Sequence, residues 1–217
     1  WHIECSAMSA KYLGQTFDIH GGGMDNQFPH HECEIAQSEC AFGEQFVRYW
    51  IHNNLVTVNG QKMSKSLGNV FLLKDLFKKY DPLVIRFFIL QSHYRSTLDF
   101  SEEALQGAST GLEKLHNIVR NLQKEIQQPG TESSTSEDFS IEGYESRFRE
   151  AMDDDFNAPQ AIAALFDLSS KVNTWLSGAK PPTIFLEKVY QCFTNFGGNV
   201  LGIIPPSLEE TQLDGSL

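Results

Sequence analysis

The spacing of apolar and polar residues changes character along the chain. Phe17-Asp18-Ile19-His20 alternates apolar and polar residues before Gly21-Gly22-Gly23, which predicts a strand ending in a tight turn. Asp25 to Pro29 then leads into a predicted helix carrying His30, Glu34, Gln37 and Ser38. Tyr49 to Val58 is rich in β-branched and aromatic residues and stops at Asn59-Gly60, which reads as a strand followed by a turn. Strand, glycine turn, helix, strand over residues 1–58 is the order of half a doubly wound sheet. Half a sheet leaves an edge open, a first sign of a piece of something longer.

From Leu72 onward the period becomes helical. Leu83 to Leu90 follows Pro82, a residue suited to a first helical turn. Leu112, Leu115, Ile118, Val119, Leu122 and Ile126 recur at helical spacing. Gln127-Gln128-Pro129-Gly130 ends that helix, and the polar run 131–138 reads as a loop. Helices resume over about 142–153, after Asn157 as N-cap, and over about 183–196. The second half is most simply an antiparallel helical bundle. The expected architecture is therefore α/β followed by α. Residues 1–58 form half of a Rossmann-like domain, 59–100 a loop and connecting helices, 101–204 the bundle and 205–217 a tail.

Composition narrows the class. The chain has 217 residues, 41% of them hydrophobic, enough for one or two domains with a core. No apolar run is long enough to span a bilayer and no signal-peptide pattern opens the chain. The four cysteines, Cys5, Cys33, Cys40 and Cys192, lack the spacing of a disulfide framework, which favours a reducing, cytoplasmic setting. A net charge of −11 argues against non-specific coating of nucleic acid. Its distribution says more. Residues 44–100 carry eight Lys/Arg against four Asp/Glu, whereas residues 101–170 carry five against fourteen. Phosphate should be met in the first stretch.

Two constellations carry chemistry. Lys62-Met63-Ser64-Lys65-Ser66 is a short stretch of cations and hydroxyls, followed by Leu67-Gly68-Asn69. Such a loop can fold over a polyphosphate and neutralise the charge that builds as pyrophosphate leaves. Taken alone it fits a solvated basic turn equally well. His30 and Glu34 stand four apart on one predicted helix face, a spacing that lets both reach one metal. Cys5 would close that site from a strand end. His31 and Cys33 are each one residue off the shared face. On spacing alone, an exposed His and Glu with a buried Cys is the commoner meaning. Asp153-Asp154-Asp155 resembles a metal cluster but fits a helix start or cap better.

Lys62 to Ser66 matches the KMSKS signature of class I aminoacyl-tRNA synthetases letter for letter. Trp1 to Met8, Phe17 to Gly23, Phe28 to Glu34, His93 to Ser96 and Met152 to Asn157 narrow the resemblance to the cysteinyl-tRNA synthetase family, in that family's order. The resemblance covers nearly the whole chain and is weakest over about 129–150 and beyond 205. The family's HIGH signature and small C-terminal domain have no counterpart here, and the chain opens on Trp1. An internal fragment is therefore expected, inactive by itself.

The resemblance implies a set of roles. Cys5, His30 and Glu34 become three ligands of one Zn²⁺, the family's fourth being a cysteine outside this chain. Lys65 binds ATP and stabilises the transition state, with Lys62 assisting. Gly22, Gly23 and Asp25 approach the adenosine, and Trp1 and His20 line the amino-acid pocket. The partners implied are ATP with Mg²⁺, L-cysteine and tRNA(Cys), for a cytoplasmic monomer. His93 and Arg95 either touch the tRNA stem or fix a helix junction. Two other readings are a cysteine:amino-sugar ligase of mycothiol synthesis and a non-catalytic RNA-binding or structural zinc module.

Overall fold

The computed structural model describes residues 1–128, 140–178 and 181–208. The turn at Pro129-Gly130, the polar run 131–138 and the last nine residues of the tail lie outside them. The chain divides into two compact units. Trp1–Val70 with Tyr94–Phe100 forms an α/β unit, and Phe71–His93 with the described residues from Ser101 onward forms a helical unit.

In the α/β unit, helix α1 (His2–Tyr12) precedes strand β1 (Phe17–Gly23), helix α2 (Glu32–Phe42) and strand β2 (Val47–Asn53). Strands β1 and β2 pair in parallel, from Phe17 opposite Val47 to Gly23 opposite Asn53, the order a strand–helix–strand unit imposes. Phe17, Phe46 and Val47 form its buried centre, with Ile35 and Trp50 packed against them. Ile19 and Tyr49 face each other across the pair and remain exposed. The predicted glycine turn is corrected, because β1 runs straight through Gly21, Gly22 and Gly23. The predicted strand over Tyr49 to Val58 is two strands in different sheets. Strand β3 (Val56–Val58) belongs instead with β4 (Gln61–Lys62) and β5 (Leu98–Phe100), in the order β4-β3-β5. Strand β3 runs antiparallel to β4 and parallel to β5. The turn predicted at Asn59-Gly60 joins β3 to β4, with φ of 50° and 76° at the two residues, the positive values such hairpins need.

The helical unit contains α3 (Leu73–Leu76), α4 (Pro82–Leu90), α5 (Glu102–Gln127), α6 (Glu142–Asp153), α7 (Ala158–Ser177) and α8 (Thr183–Phe193). Local chemistry starts three of them. The Asp81 carboxylate accepts from Leu83 N at 2.7 Å ahead of Pro82. Ser101 Oγ accepts from Ala104 N at 3.1 Å, and Asn157 Oδ1 from Gln160 N at 3.3 Å. Each removes one orphaned helix donor. Helix α5 buries a stripe of Leu105, Ala108, Leu112, Leu115, Ile118, Val119 and Leu122, and it packs on α4, α7 and α8. The segment after α8 is fastened from two sides. Arg86 Nε donates to Leu201 O at 2.6 Å, and His116 Nε2 lies 2.8 Å from Ile203 O.

Asp153 ends α6 and Asp154 caps it, while Asp155 and Phe156 take φ of 56° and 55° in the turn before Asn157. The expected helix start or cap is thus a cap at the opposite end: Asp154 is the C-cap of α6, and Asp153 and Asp154 sit at a helix C-terminus, where the dipole does not favour carboxylates.

Candidate metal centre

Glu34 stands on the first turn of α2 with 0% of its surface exposed. Its Oε1 lies 2.7 Å from His30 Nε2 and its Oε2 lies 2.9 Å from His20 Nε2. Despite those distances, neither carboxylate oxygen receives a hydrogen bond of normal geometry. A carboxylate so deeply buried needs a cation or strong donors to offset its lost hydration.

Cys5 supplies the third corner. The ligand atoms of Cys5, His30 and Glu34 all lie within 4.8 Å of one another. Cys5 comes from the middle of helix α1, not from a strand end as the sequence reading had it. Helix α1 lies along α2, and Ser6 Oγ donates to Gln37 Oε1 at 2.8 Å beside the site. Burial and the Glu34 charge both push the Cys5 thiol above its ordinary pKa. A soft sulfur, an imidazole nitrogen and a carboxylate oxygen form a donor set that suits Zn²⁺. The residues present therefore fit that ion.

His30 sits in the segment Gln27–His31 that enters α2, kinked at Phe28, whose φ of −130° and ψ of 131° are extended. Trp1 stacks on it at 3.8 Å between ring centres, and His2 Nδ1 lies 2.6 Å from His30 Nδ1. Contacts of this kind fix the orientation of a ligating ring.

A second triad shares the same carboxylate. His20, His31 and Glu34 also bring their ligand atoms within 4.8 Å. His31 Nδ1 lies 2.7 Å from His52 Nε2, and His52 stacks on Trp50 with an interplanar angle of 2°. Burial, and then the charge on His20, hold His31 down at about 4 and His52 below its ordinary value. The His31 ring is therefore neutral near pH 7. An open cavity of about 610 Å³ is lined by Gln27, Phe28, His31, Glu32, Ile35, Trp50 and His52. Cys33 joins neither triad. His2 and His52 escaped the sequence reading, which set His31 aside as one residue off the face of His30 and Glu34, whereas the structure brings it to that same carboxylate. The available signal was that five of the seven histidines fall within the first 52 residues.

The glycines have a local reason. A Cβ on Gly22 would meet the His31 ring at 2.7 Å, and one on Gly23 would collide with the Asp25 carboxylate. The strand thus stays bare where two side chains of the chain's own press against it. Asp25 is exposed.

The lysine stretch begins on β4 and is held by its own neighbours. Asn69 Oδ1 accepts from Ser64 N at 2.9 Å, and Asn69 Nδ2 donates to Lys62 O at 3.2 Å. Ser64 Oγ accepts from Leu67 N at 3.3 Å. The His93–Ser96 segment is tied back through Asn54, whose N donates to Tyr94 O and whose Nδ2 donates to Arg95 O.

The strand–helix–strand unit, the His/Glu/Cys cluster and the lysine loop all fall within the first 110 residues. Residues 1–110 match the family described as "tRNA synthetases class I (C) catalytic domain", and the chain belongs to that family. Residues 147–205 match the DALR domain. The chain is 55% identical to the cysteine–tRNA ligase of Chlorobium luteolum, covering 99% of this chain and 43% of that protein. It is 46% identical to the cysteine–tRNA ligase of Thermococcus gammatolerans, covering 99% and 46% respectively. The chain thus spans less than half the length of these relatives. A solved structure of the Agrobacterium radiobacter K84 agnB2 LeuRS-tRNA-LeuAMS ternary complex shares the fold with a TM-score of 0.69. That similarity holds at 18% identity and covers 87% of this chain and 26% of that one. Among the described residues no helix is long and apolar enough to cross a membrane.

Proposed function

We propose that this chain carries the metal centre and the lysine loop of a cysteine–tRNA ligase. That enzyme joins cysteine to ATP, forming cysteinyl-adenylate and pyrophosphate, and passes the cysteinyl group to the 3′ end of tRNA(Cys). The observation that supports it most is the convergence of Cys5, His30 and the fully buried Glu34, in a chain whose relatives are cysteine–tRNA ligases.

The reading gives each group a task. Cysteine must be told from serine, its near isostere, and an apolar pocket separates such a pair weakly. Zinc held by Cys5, His30 and Glu34 supplies a Lewis acid that prefers thiolate sulfur to a hydroxyl. Trp1 and His20 border the amino-acid pocket. Gly22, Gly23 and Asp25 approach the nucleoside of ATP, which brings Mg²⁺. Lys65, with Lys62, neutralises the pyrophosphate as it departs, an interaction strongest in the transition state.

The test uses the full-length polypeptide. ATP–pyrophosphate exchange should depend on cysteine, ignore serine, and fall roughly a hundredfold in Lys65→Ala. With cobalt in place of zinc, adding cysteine should change the visible spectrum and adding serine should not. Unchanged exchange in Lys65→Ala removes the role of the loop. A silent spectrum removes the metal's role in selection.

A further inference from the structure

Asp99 faces no substrate site described above, yet its carboxylate is the busiest acceptor near the lysine loop. Its Oδ1 accepts from Thr57 Oγ1 at 2.6 Å and from Gly60 N at 2.8 Å. Thr57 and Asp99 are direct partners across β3 and β5. The other register partner of Thr57, on β4, is Lys62. Lys62, Thr57 and Asp99 therefore form one rung across the three-stranded sheet.

The same carboxylate also closes the turn that sends the chain into the loop. Asn59 and Gly60 both hold positive φ, and the Gly60 N–H ends on Asp99 rather than on water. Asn59 N donates to Phe100 O at 3.3 Å, and Met63 N donates to Val56 O at 3.3 Å. Strand β4 is only two residues long, so ladder bonds alone hold it weakly. A charged acceptor strengthens both of its hydrogen bonds. They keep the Asp99 carboxyl below its ordinary range, the Thr57 hydroxyl contributing most and the Gly60 amide next. Beyond Lys62, the Asn69 amide takes over the clasp.

We propose that Asp99 is a positioning residue for adenylate formation: through Thr57 and the Asn59–Gly60 turn it sets where Lys62 stands against the polyphosphate. This rests on the ligase reading above. Asp99 touches no reacting atom. It acts on a lysine some 37 positions earlier in the chain by fixing the strand on which that lysine begins the loop. Small misplacements of a charge-neutralising group cost rate rather than ground-state binding.

The experiment compares Asp99→Ala, Asp99→Asn and Thr57→Val in the full-length polypeptide, with thermal melting as the control for folding. Asn keeps an acceptor oxygen in place, so it should retain exchange to within about threefold, while Ala should lower kcat by roughly tenfold with KM for cysteine unchanged. Thr57→Val, which keeps shape and removes one donor, should fall between them. The Ala effect should largely vanish when Lys62→Ala is already present, because the two residues act as one unit. Trypsin should also cut after Lys62 faster in Asp99→Ala than in the parent or in Asp99→Asn. Full exchange in Asp99→Ala, or an undiminished Ala effect in the Lys62→Ala background, overturns the proposal. If the parent shows no cysteine-dependent exchange, the ligase reading falls instead. The trypsin comparison then decides the positioning role alone, equal cutting overturning it and faster cutting supporting it.

Discussion

The helical unit buries leucines, and the α/β unit buries histidines and a glutamate. Leu105, Leu115, Leu122, Leu165, Leu168 and Leu186 are each 0–1% exposed in the first. In the second, His30, His31, Glu34 and Ser38 are all at or below 5%, while Ile3, Ile19, Tyr49 and Phe28 lie on the surface. Among the described residues, the buried apolar side chains of the α/β unit are Phe17, Phe46, Val47, Val58 and Phe100. Each fully buried leucine contributes about 1.5–3 kcal/mol. A buried carboxylate contributes nothing of that kind until a cation meets it. One unit is therefore built on apolar burial, and the other buries polar side chains around one carboxylate.

The comparison is open to attack where the effects should be largest. Leu115→Ala in α5 should cost the helical unit about 2–5 kcal/mol, read as a lower urea midpoint of its far-ultraviolet transition. A loss under about 1 kcal/mol would show a core far looser than its burial implies. Glu34→Gln sharpens the other side of the contrast. Metal-free protein should be as stable as the parent or slightly more so, because a neutral amide costs less to bury than a carboxylate. Its bound zinc, measured by atomic emission after dialysis, should drop from near one equivalent to near zero. If the metal-free variant instead loses as much stability as Leu115→Ala, Glu34 is a structural ion-pair partner and the contrast fails.

The smallest effect concerns the cysteines. Burial pushes the Cys192 thiol in α8 up to about 12 from an ordinary 9.0. A raised folded value means that the native state holds this proton more tightly. The associated stability is complete below about pH 9 and is lost as the pH climbs toward 12. At pH 8 only about one Cys192 thiol in ten thousand is ionised, whereas Cys40 in the α/β unit is exposed. Iodoacetamide at pH 8 should therefore label Cys40 promptly and Cys192 only after denaturation. Equal labelling would show that the helical core opens as readily as the α/β surface.

These differences explain which parts of the molecule were legible beforehand. Helix α5 was visible because one long amphipathic helix writes its burial into a repeating spacing, and Pro82 and Asn157 announced helix starts through local chemistry. Helix α1 was missed because Ser6 is its one buried residue and Ile3, Met8 and Tyr12 point outward, so no apolar stripe exists to be read. The glycine run suggested a turn because glycine usually marks one. Here it marks a strand pressed by the His31 ring and the Asp25 carboxylate, neighbours that no local pattern reveals. The pairing of β3 with β5, some 40 residues apart, was equally hidden, and with it the link from Asp99 to Lys62.

The amino-acid order by itself determined the lysine loop, the four-residue spacing of His30 and Glu34, the apolar stripes of the bundle and the family to which they point. Those features depend on neighbours within a turn or two of the chain. Only the tertiary structure decided that Cys5 approaches that pair from a helix, that His20 and His31 claim the other side of the same carboxylate, and that Glu34 is sealed from water. Each of these follows from packing α1 and β1 against α2, and contacts between distant segments leave no periodic trace along the chain.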